Sequence, residues 1–347
     1  MTLETTFERV TLPLEYPFTI ARGTTTESDA VIVRIADEEG TTGVGGAGPA
    51  SHYGETIDTV ETVLPDLLDA VDETGDPLNI QRAERRMKET VRRNPAARCA
   101  VDIALHDLAA KRAGEPLYRY WGLDPAETIP TTYTIGIDDP ETMADRAAEA
   151  TDRGFSYLKV KLGSGRDRER LAAVRNAAPD ATIRVDANEG WTPREAVRKI
   201  ETLVEYDIEF VEQPVPAENP EGLRFVYERS PLPIAADESC ITVEDIPQIS
   251  DKCDIANLKL MKCGGLREAK RMIHTARAHG LEVMLGCMTE SNASIAAGCH
   301  LAPLLDYADL DGSLLLAEDP YDGVAMPDGR IALGELDRPG TGAVRES

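Results

Sequence analysis

The sequence predicts an α/β protein built on a (β/α) barrel, and two observations lead to that prediction. From about residue 130, short apolar strand segments alternate with helical segments, the strands being YTIGI, YLKVKLG, TIRVDAN, IEFVEQP, LPIAADES, IANLKL, LEVMLGC and YADLDGS. Repeated strand–helix units imply a parallel sheet, and this many in succession favour closure into a barrel. Moreover, no GxGxxG follows the first strand of this repeat, which weakens the alternative of an open dinucleotide-binding sheet.

The first third of the chain has a different pattern. FERVTLPLEYPFTI and DAVIVRIADEEGTTGVGGAG alternate apolar and polar residues, as antiparallel strands do, and helical segments such as RCAVDIALHDLAAKRAGEPL follow. Because one hydrophobic core stops growing near roughly 250–300 residues, a chain of 347 residues is expected to hold a second unit. We therefore predict an α+β domain over 1–120, the barrel over 121–315, and a segment over 316–347 that returns to the first domain.

Charge and composition exclude several classes of protein. The formal net charge of −25, from 62 acidic and 37 basic residues, opposes binding to nucleic-acid phosphates. Only nine of the basic residues are lysines, and an acidic, lysine-poor surface is typical of proteins from halophilic, salt-accumulating cells. No apolar run of about 18 residues is present, and the first residues lead us to expect no secretory signal. The six cysteines form no CxxC pair, so we expect reduced thiols, a cytoplasmic location and no membrane partner.

Three carboxylates stand at the ends of successive predicted barrel strands. Asp186 ends TIRVDAN, Glu212 ends IEFVEQP and Asp237 ends LPIAADES, with spacings of 26 and 25 residues. Active sites of such barrels lie at the carboxyl ends of the strands, so these side chains should converge. Each acid could instead cap the following helix, but three at matching positions favour a site for Mg²⁺, with Mn²⁺ as an alternative.

Lysines in two of the same strands suggest acid–base chemistry. Lys159 and Lys161 lie on one side of YLKVKLG, and Lys259 lies four strands further along, which places it across the barrel mouth from Lys161. The alternative is a lysine that extends to solvent, but helices cover the outside of a parallel barrel. A buried lysine beside a divalent cation has a lowered pKa and can act as a base. We expect Lys161 and Lys259 to transfer protons and Lys159 to polarise a substrate carboxylate.

The chemistry that needs such a set is removal of a proton next to a carboxylate. Loss of that proton leaves an enediolate with two negative oxygens, which a divalent cation and a cationic lysine stabilise. A base on one face removes the proton, and an acid on the other face returns it.

Taken together, these motifs resemble the muconate-lactonizing-enzyme branch of the enolase superfamily. The segments that carry the resemblance are KVKLG, RVDANEGW, FVEQP, ADES, NLKLMKCGG and AARCAVDIALHDLAAKRAGEPL. The resemblance implies a (β/α)7β barrel with an α+β capping domain that supplies specificity loops and includes the C-terminal tail. It also implies Asp186, Glu212 and Asp237 as metal ligands, with Lys161 and Lys259 as the acid–base pair.

Further segments resemble the dipeptide epimerases of that branch, of the L-Ala-D/L-Glu epimerase type. They are YTIGID, GCMTES and DLDG, whose candidate substrate-binding residues are Thr134, Cys287, Thr289, Asp309 and Asp311. In those enzymes a DxD pair holds the substrate's α-ammonium group, which suits two carboxylates. The alternative for DLD is ordinary loop chemistry in an acid-rich chain.

The first domain is expected to provide loops over the barrel mouth. Candidates are residues 18–26 and 50–54. The resemblance implies that Arg22 meets a substrate carboxylate and that His52 and Tyr53 close the other side, with surface exposure and ordinary loop packing as the alternatives.

The sequence thus predicts a Mg²⁺-dependent isomerase that epimerises dipeptides by 1,1-proton transfer. The alternatives are an N-acylamino acid racemase, an o-succinylbenzoate synthase or a muconate cycloisomerase of the same branch, and a non-catalytic barrel that binds a carboxylate. The expected partner is a small dipeptide or related carboxylate, and association into a homo-oligomer is left open.

Overall fold

The computed structural model describes residues 3–346 and contains an antiparallel sheet domain and a parallel barrel. The first sheet holds β1 (Glu4–Ile20), β2 (Gly23–Ala36) and β3 (Thr42–Ala47), paired in that order. Its helices are α1 (Ile57–Asp72), α2 (Ile80–Thr90), α3 (Pro95–Ala113) and α4 (Leu117–Tyr120). No helix within the described range is long and apolar enough to cross a membrane.

The glycines of GVGGAG let the first sheet approach α3 closely. A Cβ on Gly45 would lie 2.1 Å from the carbonyl oxygen of Ala100, and one on Gly43 would lie 2.0 Å from that of Ala104. Residues 96–110 of α3 are all buried, which explains why this helix is apolar around most of its circumference. These contacts hold the first sheet directly on the segment that leads into the barrel.

Eight parallel strands alternate with helices in the second part of the chain. The strands are β4 (Tyr133–Ile135), β5 (Tyr157–Lys161), β6 (Thr182–Asp186), β7 (Ile208–Glu212), β8 (Ile234–Ala236), β9 (Ile255–Lys259), β10 (Glu282–Gly286) and β11 (Tyr307–Asp309). The helices between them are α5 (Pro140–Asp152), α6 (Asp167–Ala177), α7 (Pro193–Leu203), α8 (Pro220–Tyr227), α9 (Ile246–Ile249), α10 (Leu260–Cys263), α11 (Leu266–Ala278) and α12 (Asn292–Cys299).

The strands pair in sequence order from β4 to β11. A parallel bridge between Thr131 and Ala308 then joins the chain just before β4 to β11. The sheet therefore closes into a barrel, and the predicted fold class is confirmed.

The amino-terminal end of the barrel is filled by a buried arginine. Arg184 donates from Nε to Glu209 Oε2 at 2.6 Å, and its guanidinium lies over the rings of Tyr157, Phe210 and Tyr307 at 5.0–5.3 Å. Since this end is packed, the opposite end is the open mouth.

The end of the chain runs back along the first sheet. Leu316 bridges Leu14 of β1, and two short strands, β12 (Tyr321–Asp322) and β13 (Val344–Arg345), pair beside it. The boundaries predicted from sequence, at residues 120 and 315, stay predictions.

Candidate active site

The three predicted carboxylates lie side by side at the carboxyl end of the barrel. Asp186 ends β6, Glu212 ends β7, and Asp237 directly follows β8. The strand register pairs Lys161 with Asp186 and Asp186 with Glu212. All three carboxylates are fully buried, so their charges must be met from within the protein.

The two predicted acid–base lysines approach these carboxylates from opposite sides. Lys161 Nζ lies 2.7 Å from Asp186 Oδ2, and Lys259 Nζ lies 2.7 Å from Asp237 Oδ2. Their strands, β5 and β9, are four steps apart in an eight-stranded closed sheet. A substrate between them would therefore meet one amine on each face.

Lys159 is the central cation of the site. Its Nζ lies 2.5 Å from Asp309 Oδ2 and 2.9 Å from Glu212 Oε2. Burial alone would lower the pKa of Lys159, but the charges of Asp309, Glu212 and Asp186 raise it well above the ordinary value. These charges favour the ammonium form of Lys159, which can hold a negative oxygen.

Lys262 is a fourth buried lysine, and the sequence reasoning missed it. It belongs to α10, is 1% exposed, and donates from Nζ to Asp237 Oδ1 at 2.5 Å, to the carbonyl oxygen of Asp237 at 2.6 Å and to that of Asn257 at 2.9 Å. Burial alone would raise the pKa of Asp237. The charges of Lys259 and Lys262 outweigh burial and lower that pKa below its ordinary value. The available signal was the scarcity of lysine, because four of nine lysines serve this one site.

The donor set around the carboxylates fits a divalent cation. Two buried amide oxygens beside the carboxylates, Asn188 Oδ1 and Asn257 Oδ1, accept no hydrogen bond, and Glu212 Oε2 has only the ion pair to Lys159. Burial and the charge of Asp186 raise the pKa of Glu212 to about 7. Buried oxygens without donors are rare, and Mg²⁺ selects oxygen ligands, so the residues present match that ion.

The two aspartates of DLDG have different environments. Asp309 accepts a hydrogen bond from Thr132 and faces Lys159, whereas Asp311 Oδ2 accepts the backbone N–H of Thr134 at 2.6 Å. Burial would raise the pKa of Asp309, but Lys159 lowers it to about 2. Burial and the neighbouring Asp309 raise the pKa of Asp311 to about 7. Asp311 is therefore the carboxyl group with less compensating charge.

A cavity of about 670 Å³ lies over the barrel mouth and under the first domain. Nine of the twelve residues predicted from sequence line it: Arg22, Thr134, Lys159, Lys161, Lys259, Cys287, Thr289, Asp309 and Asp311. The three carboxylates Asp186, Glu212 and Asp237 lie beneath the lysines, to which they are ion-paired. The structure thus brings all twelve residues together, while their individual roles stay predictions.

Cys287 lines the cavity but is a poor nucleophile. Burial, with the nearby charges of Asp311 and Asp309, raises the pKa of its thiol well above the usual value. Since the thiolate is the reactive form, this residue is suited to packing against a substrate.

The roof of the cavity comes from the two predicted loops. Phe18, Ile20 and Arg22 lie at the turn between β1 and β2, and His52 and Tyr53 lie in a short helix at Ser51–Tyr53. Arg22 Nη1 is bound to two barrel residues, Glu238 and Glu189. Neither glutamate was singled out from the sequence, although both lie in the segments RVDANEGW and ADES that carry the family resemblance.

Family comparisons agree with the geometry. Residues 142–345 match the family described as enolase C-terminal domain-like, and residues 2–122 match the mandelate racemase/muconate lactonizing enzyme N-terminal domain. The chain belongs to the enolase superfamily, as its sequence motifs predict.

Within that family, several proteins similar to this chain are dipeptide epimerases. An L-Ala-D/L-Glu epimerase of Bacteroides thetaiotaomicron is 39% identical over 99% of this chain and 88% of its own length. A hydrophobic dipeptide epimerase of Enterococcus faecalis is 40% identical, with 90% of each chain covered. The crystal structure of a dipeptide epimerase from Cytophaga hutchinsonii, complexed with Mg and D-Ala-L-Val, superposes with a TM-score of 0.94 at 32% identity, covering 100% of this chain and 96% of that one.

Proposed function

We propose that this protein is a Mg²⁺-dependent dipeptide epimerase that inverts the carbon next to a substrate carboxylate. The observation that carries the proposal is the placement of Lys161 and Lys259 on opposite sides of the cavity, each over a buried carboxylate. Binding alone needs no such pair, whereas inversion of a carbon centre needs a proton acceptor on one face and a donor on the other.

The reaction requires only proton transfers by these two amines. A neutral lysine takes the α-proton, and the electrons of the broken C–H bond pass to the carboxylate to form an enediolate. The opposite ammonium group, Lys259 if Lys161 is the base, then gives a proton to the other face. Lys159 holds the carboxylate oxygens, where its positive charge stabilises the enediolate. The two lysines return to their starting states by exchange with water.

Asp186, Glu212 and Asp237 would hold the Mg²⁺, with Mn²⁺ as a substitute. When bound, the cation draws negative charge onto the substrate carboxylate and competes with the lysines for the three buried carboxylates, which lowers the lysine pKa values.

The two aspartates favour a dipeptide over N-acylated substrates. An α-ammonium group at Asp309 and Asp311 would form charge-assisted hydrogen bonds, whereas an amide carries no charge to match. Thr134, Cys287 and Thr289 would line the walls around that end of the substrate. The N-acylamino acid racemase is the runner-up, since an N-succinyl Arg/Lys racemase from Bacillus cereus shares the fold at a TM-score of 0.93.

A cytoplasmic location goes with this proposal. All six cysteines are free, as expected of a protein kept in a reducing compartment. Association of copies into a homo-oligomer stays a prediction.

The proposal is tested with a dipeptide library in D₂O and Mg²⁺, read by mass spectrometry and chiral chromatography. We expect epimerisation with uptake of one deuterium, loss of activity with a chelator, and recovery with Mg²⁺ or Mn²⁺. Lys161→Ala and Lys259→Ala should each abolish epimerisation, since each group supplies roughly 10²–10⁴-fold of rate. Because each variant keeps one lysine, it should still exchange the α-proton of one epimer with solvent deuterium.

Lys270→Ala is the matched control, because that lysine lies over the ring of Trp121, away from the site. Full activity in a metal-stripped sample would show the Mg²⁺ dependence to be wrong. Epimerisation by Lys161→Ala or Lys259→Ala at the wild-type rate would show the two-base scheme to be wrong.

A further inference from the structure

Arg22 joins the roof of the cavity to the barrel. Its Nη1 lies 2.8 Å from Glu238 Oε1, 3.2 Å from Glu189 Oε2 and 3.2 Å from the carbonyl oxygen of Asn188. His52, from the second roof loop, places Nε2 3.1 Å from the same Glu189 oxygen. Two separate loops of the first domain are thus tied to one short stretch of the barrel.

The barrel side of this contact is held in a fixed position. Asn188 and Glu189 both adopt left-handed backbone angles, with φ of 41° and 67°, which cost energy in residues other than glycine. Glu189 Oε1 accepts the backbone N–H of Ala217 at 2.8 Å, so the other carboxylate oxygen points at the roof. The side chain of Glu238 is 1% exposed, and that of Glu189 is 10% exposed. The acceptors therefore stand in place before any ligand enters.

We propose that Arg22 is a latch between roof and barrel, and that the subsite beneath the roof takes an uncharged side chain. This rests on the proposed epimerase function. Arg22 faces two carboxylates, so it has no uncompensated charge to offer a third. The geometry thus favours a different role from the substrate-carboxylate contact that the sequence resemblance implies for Arg22.

The orientation of the substrate follows from the other charged groups. Lys159, Asp309 and Asp311 line the cavity from the barrel side, on or directly after strands β5 and β11. A dipeptide with its carboxylate at Lys159 and its ammonium group at Asp309 and Asp311 would leave the roof side of the cavity for the side chain on the epimerised carbon.

Apart from Arg22 and His52, the roof is uncharged. The other roof residues that line the cavity include Phe18, Ile20, Thr24, Thr25 and Tyr53. A carboxylate placed here would meet the negative charges of Glu189 and Glu238, which disfavours an acidic side chain.

The first test compares kcat/KM for L-Ala-L-Leu and L-Ala-L-Glu. We expect the wild type to prefer the leucine dipeptide by at least about tenfold. Arg22→Gln should lower kcat/KM for both dipeptides by the same factor, because it loosens the roof without removing a substrate contact. Glu189→Gln should raise the relative rate with L-Ala-L-Glu roughly threefold or more, because it removes one of the two negative charges that a substrate carboxylate would meet, while Glu238 still balances Arg22. A loss in Arg22→Gln that is confined to L-Ala-L-Glu, or a wild-type preference for that substrate, overturns the proposal.

The second test needs no substrate. Hydrogen exchange in residues 18–25 and 49–54 should be about fivefold faster in Glu189→Gln than in the wild type, because a partly buried ion pair is lost. Glu218→Gln is the matched control, since Glu218 is exposed in the loop just beyond Ala217. Unchanged exchange in both Glu189→Gln and Arg22→Gln overturns the latch, because Arg22→Gln also removes the ion pair to Glu238. Failure of the wild type to turn over either dipeptide counts against the epimerase function, while the exchange comparison still decides the latch.

Discussion

Replacement of Lys262 by methionine tests whether this buried lysine is needed to hold the carboxylate cluster. Its ammonium group supplies hydrogen bonds to Asp237 Oδ1 and to the carbonyl oxygens of Asp237 and Asn257. Methionine has a similar length but no donor, so each of these three buried acceptors loses one hydrogen bond, although the carbonyl oxygen of Asp237 keeps the N–H of Cys240. Lys259 remains the nearest cation to Asp237, at 2.7 Å from Oδ2.

The cost is set by the loss of one partner from a buried ion pair, about 3–5 kcal/mol. Unfolding entropy of about 2.1 cal/mol/K for each of 347 residues corresponds to roughly 0.7 kcal/mol/K. The melting temperature in the absence of metal should therefore fall by about 4–7 °C. In this variant the negative charge of Asp237 has lost the ammonium group of Lys262 as a partner. Saturating Mg²⁺ should therefore stabilise Lys262→Met by more than it stabilises the wild type.

Differential scanning calorimetry of both proteins, with chelator and with Mg²⁺, measures these shifts. Lys270→Met makes the same chemical change at a half-buried lysine over Trp121 and should change the melting temperature by much less. A metal-free Lys262→Met protein that melts within about 1 °C of the wild type would refute the reasoning, because a buried ion pair cannot lose its partner at no cost.

Three further predictions concern substrate, pH and salt. Asp311→Asn should lower kcat/KM for dipeptides by roughly 10–150-fold, as expected for a lost charge-assisted hydrogen bond of about 1.5–3 kcal/mol. The same change should affect N-acylated analogues much less. Equal losses for both kinds of substrate would indicate that the DLD segment has a structural role. Burial lowers the pKa of His300 to about 4, and its ring accepts the backbone N–H of Tyr118 and pairs with the carbonyl oxygen of Thr341. The unfolded chain takes up this proton near pH 6.5 while the folded chain does not, so the stability that His300 contributes at pH 8 should decrease by about 2 kcal/mol at pH 5. Denaturant titrations of wild type and His300→Gln at both pH values measure that decrease, and an identical pH dependence in the two proteins would contradict it. With a net charge of −25, the unfolding midpoint should rise from low to molar KCl, as the Debye length falls from about 30 Å to about 3 Å; a flat midpoint would count against the halophile interpretation.

The barrel and its chemistry were accessible from sequence because both depend on local pattern. Strand alternation places Lys159 and Lys161 on one face, and the polar residue that ends each apolar strand marks the mouth of a parallel barrel. The eight strand segments predicted from sequence correspond to the eight strands of the closed sheet, β4 to β11.

Other parts of the site depend on contacts between residues far apart in the chain. Lys262 lies on α10, directly after β9, and meets Asp237 across 25 residues of the chain. Arg22 reaches Glu238 across 216 residues, and Lys159 reaches Asp309 across 150. No periodicity in the sequence indicates such partners, because many acids in this chain could in principle pair with each cation.

The sequence by itself determined the barrel, the order of its strands and the residues at the strand ends, since backbone geometry repeats every two residues along a strand and fixes which side chains share a face. Only the tertiary structure decided which lysine or arginine pairs with which carboxylate. Closure of the sheet and the docking of the first domain set those distances, and the strength of a charge interaction depends on distance and burial in space, not on separation along the chain.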